Sequence, residues 1–189
     1  MMTAPHHLAA EAGADILRNG GNAVDAMVAA AAAIAVVYPH MNSIGGDGFW
    51  LISEPGQPVR AIDACGPAAA AADIAFFKER GYSSIPARGP HAALTVAGTI
   101  GGWQKALEIS KSWGSQNTLS DLLKAAIDYA ENGIAVSEGQ QVLTTEKYQD
   151  LKDISGFSDQ YLNETKQVYP AGSLLKQPKL AQTLKHLSE

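Results

Sequence analysis

The run LAAEAGADILRNGGNAVDAMVAAAAAIAVVYPHMNSIGGDGF, from Leu8 to Phe49, decides the architecture. Apolar residues at Leu8, Ala12, Ile16 and Leu17 recur at helical spacing, which predicts a helix over Leu8–Asn19. Gly20-Gly21 stands where that helix must stop, because glycine accepts the left-handed conformation that closes a helix end. Asn22 then caps a second helix. Asp25, three positions on, completes a capping box and puts negative charge in the first turn, where the helix dipole favours it. The second helix runs to Val37 and ends at Tyr38-Pro39, since a residue before proline is pushed out of helical geometry. An all-round Ala/Val/Ile surface has no polar face for water, so this helix is expected to be almost wholly buried.

Working outward, Phe49–Ile52 and Val59–Ile62 are short apolar-rich runs around Glu54-Pro55-Gly56-Gln57-Pro58, the pattern of a β-hairpin. Pro67 and an alanine tract precede a helix around Asp73–Arg80 that stops at Gly81. Tyr82–Pro90 reads as loop. Leu94–Gly102 joins a β-type Leu-Thr-Val to a glycine-punctuated turn, followed by helices over Trp103–Trp113 and Leu119–Asn132. Ser120 is the expected cap of the latter and Gly133 lies past its end. A further helix begins near Val136 and extends to Leu151, Gly156–Ser173 is polar and turn-rich, and Gln177–Leu187 is a final helix. The class is α+β, mostly helical with a β-hairpin. No repeat, low-complexity tract or linker divides it, so residues 1–189 read as one segment.

Composition excludes several classes. Hydrophobic content of 46% with 17% charged residues is globular in kind. A net charge of −5 without a Lys/Arg cluster argues against a nucleic-acid partner. The longest apolar run, Ala26–Val37, is too short to span a bilayer, so no membrane partner is expected. One cysteine, Cys65, excludes an internal disulfide and a cysteine-rich zinc site. The five histidines show no ligand spacing with a carboxylate, so neither metal nor cofactor is expected. Gly45-Gly46 lacks the Lys-Ser/Thr of a phosphate loop. No charged-then-apolar leader stands at the N-terminus, which favours a cytoplasmic location, or a periplasmic or secreted one if the N-terminus is truncated.

The opening stretch resembles the start of the large subunit of γ-glutamyltransferases, which are N-terminal nucleophile hydrolases. Further blocks follow in the same order as in that family: Ile44–Phe49, Ala61-Ile62-Asp63 with Pro67-Ala68, Thr95–Trp103, Ala125–Ser137 and Gln177–Leu184. The resemblance implies a share of a four-layer αββα sandwich. It also implies a nucleophilic threonine at the start of a small subunit, exposed by self-cleavage, whose α-amino group serves as general base. Thr144-Thr145 sits in a charged helical context and reads as ordinary helix surface, so the nucleophile and catalytic small subunit lie outside this chain. Residues 1–189 then form the N-terminal part of the large subunit. They are expected to be inactive alone, and oligomeric or loosely packed if expressed alone, because unpaired strand edges invite association. The implied partners are the small subunit of the same precursor and a small-molecule amide substrate.

Two departures bear on specificity. The resemblance implies an arginine after the Ile-Asp pair, which binds the α-carboxylate of the γ-glutamyl group; here that position falls at Cys65, and a thiol cannot replace a guanidinium fork. Asp47 stands where many members have another glycine. These departures point towards the divergent acylase and amidohydrolase branch, such as oxamate amidohydrolases and cephalosporin-acylase-like proteins. Arg88, held between Pro86 and Pro90, is the candidate replacement cation, against its reading as a surface loop residue. Asp47 is a candidate helper in the substrate cleft, against its reading as a turn residue. Cys65 reads as a small buried hydrophobe, since no neighbouring cation lowers its pKa. A non-catalytic scaffold that lost its active half is the reading from another class.

Overall fold

Asn22 and Asp25 build the joint that the sequence predicts, and the rest of the fold hangs from it. In the computed structural model, which describes residues 1–189, α1 spans His7–Arg18 and α2 spans Ala23–Val37. Gly20 turns the chain between them at φ 88°, a conformation costly to residues with a Cβ. Asn22 Oδ1 accepts from the Val24 and Asp25 amides at 2.9 and 3.1 Å, and Asp25 returns the bond to the Asn22 amide at 3.3 Å.

Asp25 has a second role that the capping box conceals. Its side chain is 0% exposed. It accepts from the Ser110 hydroxyl, from Ser115 Oγ at 2.6 Å and from Asn117 Nδ2 at 2.8 Å. Burial pushes its pKa up, but these hydrogen bonds and that of Asn22 outweigh it and hold the carboxyl below its ordinary value. One buried carboxylate thereby ties the start of α2 to the end of α4 (Thr99–Ser112) and to the connection before α5 (Leu119–Asn132).

The main core lies between α1, α2, α5 and α8 (Pro178–Leu187), with α2 packed on both α1 and α5. Val28, Ala32, Ala33 and Val36 of α2 are closed off completely, and their small side chains let the neighbouring helices approach closely. Eleven of the fifteen α2 residues are buried. The other four are Ala23 at the start of the helix and a stripe of Met27, Ala31 and Ile34, which lines an open cleft of about 370 Å³ together with Phe49, Trp50 and Leu51. No helix is long and apolar enough to cross a membrane.

The hairpin is present as β1 (Gly48–Ile52) and β2 (Arg60–Ala64), antiparallel with Gly48 opposite Ala64 and Ile52 opposite Arg60. It packs on α4. Both outer edges of this two-stranded sheet are unpaired, and Phe49 and Leu51 are 72% and 80% exposed. α3 (Ile74–Glu79) falls within the helix expected around Asp73–Arg80 and carries Asp73 as its N-terminal cap.

Several boundaries differ from the sequence reading. α4 begins at Thr99 rather than Trp103, because the Gly46 carbonyl accepts from the Gly98 and Thr99 amides, each at 3.0 Å. That cap is tertiary and leaves no local signal. α5 is capped by Thr118, whose hydroxyl and Asp121 form a capping box, and not by Ser120. Ile134–Ala135 and Leu174–Leu175 pair as β3 and β4, flanking α6 (Glu138–Leu151) and α7 (Ser155–Tyr161). α7 lies in the stretch read as turns, and Tyr161 anchors it by donating to the Pro39 carbonyl at 2.7 Å.

Candidate functional site

The register of the hairpin builds the site. Gly48 faces Ala64, so one step further out Asp47 falls opposite Cys65. Asp47 Oδ1 accepts from the Gly66 amide at 3.2 Å and from Thr95 Oγ1 at 3.4 Å. Its neighbour Gly46 is held by α4, since Thr99 Oγ1 donates to the Gly46 carbonyl at 2.8 Å beside the two amides already on it. The glycine-rich loop, the exit of β2 and the approach to α4 thus meet at one carboxylate. Backbone contact makes the junction tight: a Cβ on Gly66 would stand 1.5 Å from the Val96 carbonyl oxygen, and one on Gly98 would stand 2.0 Å from that of Ala64. Asp47 is a clasp across three segments rather than a simple turn residue. Thr95 and Thr99 escape the sequence reading because their partners come from 48 and 53 residues away.

Cys65 is exposed, which corrects its reading as a buried hydrophobe: it follows β2 at the open end of the hairpin, where no helix covers it. Its thiol pKa is raised by its neighbours rather than by burial in a core. The neighbouring Asp47 carboxylate comes first in raising the thiol pKa, then local desolvation and the negative charge of Asp63. In the full-length protein, alkylation at Cys65 followed by peptide mass at pH 7.5 is expected to be slower than for free cysteine, and Asp47→Asn should accelerate it several-fold. A rate equal to free cysteine and unmoved by Asp47→Asn would contradict the pairing.

Arg88 is not joined to this pair by any hydrogen bond or salt bridge. Its guanidinium faces Asp150 on α6 instead, Nη1 to Oδ2 at 3.6 Å, and both side chains are solvent-exposed. The junction around Asp47 and Cys65 therefore holds carboxylates and a thiol, with no cation paired to them. Thr144 is buried, which corrects its reading as helix surface. Its hydroxyl donates to the Gln140 carbonyl at 2.7 Å, and that of Thr145 to Gln141 at 2.8 Å, the ordinary use of threonine inside a helix. His40 packs edge-on against Tyr38, with ring centroids 4.2 Å apart. Its ring nitrogens are buried without partners, and desolvation lowers its pKa.

Comparison with known proteins shows which family shares this fold. The family model for gamma-glutamyltranspeptidase matches residues 9–189. The oxamate amidohydrolase proenzyme of Klebsiella pneumoniae is 51% identical over 190 residues, covering 100% of this chain and 35% of that protein. The chain thus spans about a third of the length of that curated relative. Among solved structures, the γ-glutamyltranspeptidase of Helicobacter pylori superposes with a TM-score of 0.89 at 31% identity, covering 100% of this chain and 53% of that one. The cephalosporin acylase of Bacillus halodurans superposes with a TM-score of 0.84 at 29% identity, over 96% of this chain and 34% of that one. With a match along nearly its whole length, an α+β fold shared with these N-terminal nucleophile hydrolases and a glycine-rich loop clasped to the hairpin end, this chain belongs to the gamma-glutamyltranspeptidase family.

Proposed function

We propose that residues 1–189 form the N-terminal part of the large subunit of a self-cleaving amidohydrolase, and that the mature enzyme hydrolyses the amide of a short acid resembling oxamate. The reacting threonine, with its own α-amino group as base, lies in a small subunit cut from the same precursor. No cofactor is required for that chemistry.

The observation that carries the reading is the hairpin end itself, where the register sets Asp47 opposite Cys65 and Asp47 accepts from the Gly66 amide at 3.2 Å, with no cation at position 65. A γ-glutamyl group carries its α-carboxylate and ammonium several carbons from the scissile carbonyl, and the carboxylate needs a matched cation where it docks. Position 65 offers a thiol between two carboxylates, Asp47 across the hairpin end and Asp63, which accepts from the Cys65 amide at 2.9 Å. That surface repels a distal carboxylate. In a short acid amide the carboxylate is next to the carbonyl, so nothing need occupy this position. The identity to the Klebsiella protein named as an oxamate amidohydrolase supports the same direction.

γ-Glutamyl transfer is the second reading, favoured by the closeness of the Helicobacter superposition. Both readings require cleavage, whereas a non-catalytic scaffold does not. Intact mass of the purified full-length protein is expected to show two chains from one precursor, the smaller beginning with threonine. One uncleaved chain, stable on prolonged incubation, would contradict both.

A further inference from the structure

Between β2 and α4 the chain makes an excursion that is closed at its neck and elsewhere makes few contacts with the rest of residues 1–189. At the neck, Ala69 donates to the Leu94 carbonyl at 2.9 Å and Val96 to the Pro67 carbonyl at 3.0 Å. Ala68 and Thr95 form a β-bridge, and Thr95 also reaches Asp47. The neck therefore borders the candidate site directly.

The body of the excursion holds itself together. Phe77 is its buried residue. Tyr82 Oη lies 3.1 Å from His91 Nδ1, Phe76 meets the His91 ring edge-on at 5.5 Å, and the Arg80 guanidinium stacks over Phe76 at 3.7 Å. α3, inside it, makes no extensive contact with any other helix or strand. Apart from the Ala72 amide donating to the Ala69 carbonyl at the neck, one polar contact joins residues 70–93 to the rest of this chain: Arg88 to Asp150 at 3.6 Å, with side chains 43% and 60% exposed. A solvent-exposed pair at that separation holds weakly and is screened by salt. A carboxylate presented in a drier cleft competes well for the same guanidinium.

We infer that the excursion over residues 70–93 is a flap hinged at its neck beside Asp47 and Cys65, latched open by Arg88–Asp150, and that Arg88 exchanges Asp150 for the carboxylate of an acidic substrate when the flap closes. Six residues lie between Arg88 and Thr95, enough chain to carry it roughly 20 Å when extended. The inference rests on the short-acid reading of the site. It adds Asp150 as a positioning residue that acts only through Arg88.

The two partners of the latch should then act in opposite directions. In the mature full-length enzyme, Arg88→Ala should raise KM for oxamate at least tenfold and leave a neutral amide untouched. Asp150→Ala frees the guanidinium and should lower KM for oxamate several-fold. A merely structural pair predicts that both substitutions act alike, and that result overturns the inference. Hydrogen exchange supplies a readout independent of turnover. Residues 74–91 should exchange faster in Asp150→Ala and in Arg88→Ala, with the helix α6 core unchanged. Oxalate should slow that exchange in the native protein and in Asp150→Ala but not in Arg88→Ala. Slowing that persists without Arg88, or exchange that neither substitution moves, overturns it. If no acidic amide is hydrolysed while the exchange pattern appears as described, the substrate reading fails and the latch stands.

Discussion

Replacing Asp25 by alanine should remove at least about 3 kcal/mol of stability, a large part of what holds an ordinary domain together. Three side-chain donors and one backbone amide converge on this carboxylate. Hydrogen bonds to an ionised group contribute about 1.5–3 kcal/mol each and are not additive. Truncation also leaves the Ser110 hydroxyl, fully enclosed, without its acceptor. Asp25→Asn should cost less, since the amide oxygen still accepts and the serine hydroxyls can rotate to receive its N–H groups. The pH dependence has a definite sign. The folded-state pKa is depressed, so the carboxylate's contribution is complete above its unfolded value of about 3.9 and is lost as pH falls through the folded value. Denaturant titration of the full-length protein should show the native and Asp25→Asn curves furthest apart near neutrality and converging below about pH 4. A constant gap across that range would remove the carboxylate from the explanation.

The same residue shows how much of the fold the chain discloses by itself. Asn22 and Asp25 are legible as a capping box because their partners lie within three positions. The ties from Asp25 to Ser110, Ser115 and Asn117 span 85 residues or more, and nothing local announces them. The start of α4 is hidden in the same way, since its cap is the carbonyl of Gly46. β3 and β4, two residues each, are too short to show a period and exist only because they meet. In the site, Asp47 and Cys65 are legible one at a time. Their pairing was recoverable from the hairpin register, which sets them opposite each other, but Thr95 and Thr99 approach from outside the hairpin. Arg88 is legible as a stiffly held loop cation, while its partner Asp150 on α6 is not.

The second large effect concerns specificity. On the proposed reading, in which a γ-glutamyl carboxylate would dock at position 65, it would be desolvated against Asp47 and Asp63 without a guanidinium, and that cost of several kcal/mol would fall on kcat/KM. Oxamate, whose carboxylate adjoins the carbonyl, escapes it. The expected preference for oxamate is therefore at least about a hundredfold, or about 2.8 kcal/mol at 1.4 per decade. Cys65→Arg alone should recover little γ-glutamyl activity, because Asp47, already bonded across to the 65–66 turn, would capture the new guanidinium. Asp47→Gly with Cys65→Arg should recover more than the two single changes combined.

The most direct test is one ratio: kcat/KM for oxamate against kcat/KM for a γ-glutamyl amide, on the mature two-chain enzyme without an acceptor amine. A ratio of a hundred or more in favour of oxamate is the predicted result, and γ-glutamyl turnover equal to or faster than that of oxamate would contradict the account.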